Sequence, residues 1–70
     1  MYHIYELHLN ISLKHKVKEI LNQKDISKWL KLYANIYSIY EVYKNNTLKS
    51  RWIWNIKKNK WVRMSTPKKF

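Results

Sequence analysis

Apolar and polar residues alternate at the start of the chain. Tyr5, Leu7, Leu9 and Ile11 are interleaved with Glu6, His8 and Asn10, the period of a half-buried strand, which predicts a strand over 2–11. From residue 13 the period lengthens. Leu13, Val17, Ile20 and Leu21 recur at helical spacing, with Lys14 and Lys18 away from the stripe, and Ser12 stands where an N-cap hydroxyl is wanted. Asp25 supplies a second cap before Ile26, Trp29, Leu30 and Tyr33, which follow the i, i+3, i+4, i+7 pattern. Gln23-Lys24-Asp25 interrupts the stripe, so two short helices, 13–23 and 25–34, are predicted in place of one.

After Asn35 the pattern reverts to strands. Residues 36–44 (IYSIYEVYK) are rich in Tyr, Ile and Val. Asn45-Asn46 suits a two-residue hairpin turn, because Asn tolerates positive φ. A strand over 47–57, a Lys58-Asn59 turn and a strand over 60–64 complete a meander. The expected fold class is therefore α+β. It is a small single domain over 1–64, in the order β-α-α-β-β-β, with a C-terminal antiparallel meander packed against two short helices. Residues 65–70 read as a basic, mobile tail. A winged helix–turn–helix is the alternative, with Lys24, Lys28 and Lys31 turned to the major groove. The absence of the usual glycine in its turn and the length of its hairpin strands count against it.

Two-residue turns fix a register. Tyr43 would face Leu48, Ile39 would face Trp52 and Tyr37 would face Trp54, all on one side together with Trp61. That side forms an aromatic slab that the helices need as a surface to bury against. The opposite side would pair Val42 with Lys49 and Tyr40 with Arg51, and carry the charge. A guanidinium beside a phenol ring can clamp a base or hold a phosphate. A one-residue slip would exchange the faces.

Charge turns this geometry into a functional expectation. The chain has 70 residues and a formal net charge of +11. Residues 35–70 carry nine Lys/Arg against one acid, Glu41, so their formal charge is +8. Such a surface attracts polyanions. The expected function is non-enzymatic nucleic-acid binding, DNA or RNA, through phosphate contacts with weak sequence preference. Lysine acts as a point charge, and the two arginines offer little base readout. The candidate binding residues are Tyr40, Lys44, Lys49, Arg51, Lys57, Lys58, Lys60 and Arg63. An inhibitor or accessory protein binding an acidic protein partner is an alternative, and exposed strand edges give a reason to form a homodimer.

Composition excludes other chemistry. With no glycine and no cysteine, the chain lacks Gly-rich phosphate loops, nucleophile elbows, disulfides and thiolate metal ligands. No cofactor is implied. His3, His8 and His15 lack a recognised metal spacing, so no metal site is expected. Glu6 and His8, two apart on one strand face, could act as an acid–base pair on an RNA 2′-hydroxyl, which gives a small RNase-type toxin as a further alternative. Cationic, Trp-rich chains can lie in a membrane interface, but here the Trp/Lys segment has strand periodicity, and no membrane partner is expected. No apolar run reaches transmembrane length, and the first ten residues lack the basic region of a signal peptide. A cytoplasmic location is expected, or the host cytoplasm if the source is viral. Thirteen lysines and seven asparagines in a short chain fit a phage, virus or mobile-element origin.

Overall fold

The computed structural model describes residues 1–8 and 14–65. Five antiparallel strands form one sheet, with a single short helix on one face. The elements are β1 (Tyr2–His8), β2 (Lys14–Ile20), α1 (Asp25–Tyr33), β3 (Ser38–Lys44), β4 (Thr47–Asn55) and β5 (Lys60–Ser65). The strand order is β2-β1-β3-β4-β5, so β1 is paired on both sides. No helix among the described residues is long and apolar enough to cross a membrane.

The expected first helix is a strand. Residues 14–20 pair with β1, which overturns the expected α+β class with two helices, its β-α-α-β-β-β order and the helix–turn–helix alternative. The described residues form a mostly antiparallel sheet with one short helix. The helical spacing that suggested otherwise has a different cause. The β1–β2 register shifts between Ile4 and Tyr5, with Ile4 opposite Lys18 and Tyr5 opposite Lys16, leaving Val17 unpaired as a bulge. A bulge adds one residue to a period of two. It therefore sets Val17 and Ile20, three apart, against the same core. Leu21, which a helix would have buried, is 70% exposed. Ser12 and Leu13, the expected start of that helix, lie outside the described residues, as do Leu9 and Ile11 of the expected first strand.

The second helix forms where expected. Ile26 and Leu30 are its buried residues, and Trp29 lies edge-to-face with Tyr40, ring centroids 6.0 Å apart. Lys24 occupies the N-cap without a side-chain bond, and Asp25 stands in the first turn. There its carboxylate complements the helix dipole, although it does not cap the helix. Asn22 and Gln23 carbonyls accept from the Asp25 and Ile26 N–H groups, closing the turn ahead of the helix.

The meander also forms, but with altered registers. Asn45 and Asn46 adopt φ of 53° and 62°, as the expected hairpin turn requires. Tyr43 pairs with Leu48, but a bulge at Lys49 then sets Val42 opposite Ser50, Glu41 opposite Arg51 and Tyr40 opposite Trp52. The one-residue shift turns Tyr40 and Val42 to the helix side and Tyr43 to the other. In the second hairpin Trp54 pairs with Trp61 and Asn55 with Lys60. Residues 56–59 form the turn, with Asn59 at φ 55° and the Lys58 N–H bonded to Asn55 Oδ1. That shift is two residues, so it leaves the faces unchanged. β5 runs through Ser65, one residue into the expected tail, and residues 66–70 lie outside the described part.

The core is Ile4, Ile20, Ile26, Leu30, Tyr40, Val42 and Trp61, with Trp29, Trp52 and Trp54 packed against it. The strand tryptophans thus lie on the helix-covered face. Trp61 meets both Tyr40 and Trp54 edge-on, at 5.5 and 5.6 Å. Leu30 is fully buried, whereas Leu32 two residues on is exposed. Leu30→Ala is expected to cost about 2–5 kcal/mol and Leu32→Ala less than about 0.5 kcal/mol in urea unfolding. Equal costs would mean that α1 does not dock by the Ile26–Leu30 face.

Candidate functional site

No described element covers the face of the sheet opposite α1. A row across it runs from Lys16 on β2 through Tyr5, Glu41 and Arg51 to Met64 on β5. Glu41, the one acid of the C-terminal half, sits at the centre with its side chain only 7% exposed. An anion this shielded from water needs partners. Arg51 donates to Glu41 Oε2 through Nε at 3.2 Å and Nη2 at 2.8 Å. The Tyr43 hydroxyl donates to Oε1 at 2.9 Å, and the Lys14 ammonium lies 3.5 Å from the same oxygen. Burial alone would raise the Glu41 pKa, but these hydrogen bonds and charges override it and hold the carboxyl below its ordinary value.

Lys14 extends this network into a cleft. Its ammonium donates to the Tyr43 hydroxyl at 2.9 Å and lies 4.7 Å and 5.5 Å from the Tyr43 and Tyr5 ring centroids. The hydrogen bond to Tyr43 raises the Lys14 pKa against a smaller opposing effect of burial, and Glu41 adds to the rise. The two rings meet edge-on at 5.3 Å. His3, Tyr5, Lys14, Lys16, Tyr43 and Asn46 line a cleft of about 280 Å³. Lys16 pairs with Glu19, and that contact raises the Lys16 pKa and lowers that of Glu19.

The residues expected to bind are dispersed. Tyr40 is 2% exposed and belongs to the core, because the bulge at Lys49 moved it off the charged face. Arg51 does lie on that face, opposite Glu41 and not Tyr40. Lys60 is exposed at the start of β5, and Lys49, Lys57 and Lys58 are exposed at the bulge and the second turn. Lys44 places its ammonium 5.0 Å from the Tyr2 ring. Arg63 is opposite Trp52 on the helix side, beside Lys24 in a second cleft. Lys14, Lys16, Tyr5 and Tyr43 escaped sequence reasoning. The alternation of lysine at 14, 16 and 18 was a strand signal that the helical spacing of Val17 and Ile20 concealed.

The Glu6–His8 pair does come together. Both side chains lie on the helix side of β1, and His15 of β2 joins them opposite Glu6. His8 Nε2 and His15 Nε2 lie 3.6 and 3.4 Å from Glu6 Oε1, and the imidazole rings stack at 5.8 Å. Glu6 Oε2 accepts from the Tyr40 hydroxyl at 2.7 Å.

A carboxyl held below its ordinary pKa of 4.5 in the fold contributes stability above that pH and loses it as acid protonates the folded form. The melting temperature is therefore expected to fall as the pH is lowered through 4.5 and below. Glu41→Gln should lose roughly 1–3 kcal/mol at neutral pH and flatten the acid limb. An acid limb as steep as that of the parent would show that Glu41 is not the titrating group.

Comparison with protein-family models, curated proteins and solved structures gives no match for this chain.

Proposed function

We propose that the chain binds single-stranded nucleic acid, without catalysis, on the sheet face left uncovered by α1. The observation that carries this reading is the cleft in which Tyr5 and Tyr43 stand beside Lys14 and Lys16. Phenol rings offer π-faces to bases of any sequence, and ammonium groups beside them meet the phosphates. An uncovered sheet face is broad and open, which suits splayed bases better than the convex backbone of a duplex. Glu41 does not cancel the attraction, since two cations, Lys14 and Arg51, contact one carboxylate. The formal charge of +11 adds long-range steering.

The division of labour follows from the side chains. Lys16, Lys14 and Arg51 would hold phosphate oxygens, with Lys60 and Lys49 extending the basic track. Tyr5 and Tyr43 would stack. Sequence preference is weak in this arrangement because lysine contacts phosphates without reading base edges. Glu6 and His8 lie on the opposite face, so a strand bound in the cleft does not reach them.

Fluorescence anisotropy with labelled oligo-dT, oligo-U and a duplex tests the proposal. Affinity for the single strands should fall linearly in log–log with salt, and Lys14→Ala/Lys16→Ala should reduce the slope by about 1.4, or ~0.7 for each lost phosphate contact. Tyr43→Leu should weaken binding with the salt slope preserved. Absence of binding to all three at low salt would sink the reading, as would an affinity unaffected by the double lysine variant.

A further inference from the structure

We infer that Glu6, His8 and His15 form a binding site for a borderline transition-metal ion, with Zn²⁺ as the chemical type. The cluster lies on the helix side of the sheet and is independent of the proposed nucleic-acid face. One carboxylate and two imidazoles are the donor set of open, three-protein-ligand zinc sites, and they disfavour Mg²⁺ and Ca²⁺, which require oxygen ligands.

Distances support the assignment. A tetrahedral ion with bonds of about 2.0–2.1 Å holds its ligand atoms roughly 3.4 Å apart. Glu6 Oε1 lies 3.4 Å from His15 Nε2 and 3.6 Å from His8 Nε2. The three ligand atoms all lie within 4.8 Å of one another, so closure is a small rotation of imidazoles that are 38% and 52% exposed. No backbone rearrangement is needed, because Glu6 and His15 are direct cross-strand partners and His8 follows at the next position on the same face.

The surroundings are those of a supported ligand set. Ligating imidazoles use their second nitrogen, and ligating carboxylates their second oxygen, in hydrogen bonds that fix orientation. Ser38 Oγ lies 3.4 Å from His8 Nδ1, the nitrogen that coordination through Nε2 leaves protonated. Tyr40 donates to Glu6 Oε2, leaving Oε1 for the ion. Three protein ligands leave a fourth position facing solvent, where water would bind.

Isothermal titration of metal-stripped protein with ZnCl₂, together with long-range ¹H–¹⁵N spectra of the imidazoles, tests the site. One ion per chain is expected, with Nε2 shifts at His8 and His15 and none at His3, which lies on the other face beside Glu19. His8→Ala, His15→Ala and Glu6→Gln should each weaken Zn²⁺ binding by more than about tenfold, and Tyr40→Phe by roughly tenfold. His3→Ala should leave it unchanged. Both cluster histidines are partly exposed, so their variants retain the fold, which circular dichroism checks. No imidazole shift under excess Zn²⁺, or parental affinity in His15→Ala, would overturn the inference.

Discussion

The buried phenol of Tyr40 is the contact on which the rest of the fold depends. Its ring meets Trp29 of α1 and Trp61 of β5. Its hydroxyl accepts from the Asn35 N–H at 2.7 Å and donates to Glu6 of β1. One side chain thus joins the helix, the loop that follows it, the centre of the sheet and its far edge. A buried hydroxyl with donor and acceptor both satisfied costs little, whereas a misdirected one loses both partners. The arrangement also sets which β3 residues face the helix. With Tyr40 inward, Val42 and Ser38 are inward too, and Ile39, Glu41 and Tyr43 are left for the uncovered face.

Much of this was readable from periodicity. The alternation in β1, the Ile26–Leu30 stripe of α1, the Asn45-Asn46 turn and the inward tryptophans all follow from elementary spacing. The failures share one cause. Each bulge inserts a residue that leaves no mark in composition, and each changes what the flanking residues touch. At Val17 the insertion makes a strand look helical. At Lys49 it sends Tyr40 from an expected surface clamp with Arg51 into the core. Turn length did less harm, since residues 56–59 displaced the register by an even number. Parity, not exact pairing, decides which residues meet the helix.

The candidate site was less legible than the fold because it is assembled across strands. Tyr5, Lys14 and Tyr43 come from β1, β2 and β3, and no local motif joins them. The charge excess was visible, but not that Glu41 gathers Arg51 and Lys14 around itself. The two faces consequently differ in chemistry. One is an aromatic core closed by a helix, with the Glu6–His8–His15 cluster at its margin. The other is an open surface on which a single shielded carboxylate organises cations and phenols.

The position of β2 gives its lysines a further consequence. β2 and β5 are the outermost of the described strands, and each presents backbone groups to any neighbouring strand of another chain. Lys14, Lys16 and Lys18 lie along β2, and Lys60 and Arg63 along β5. Like charges oppose each other when two such borders approach, which is a recognised guard against runaway sheet extension. The cations of this chain thus line both outer strands as well as the uncovered face. More than half of the described residues lie in strands, and repulsion between the lysine-bearing borders of that sheet opposes its open-ended growth.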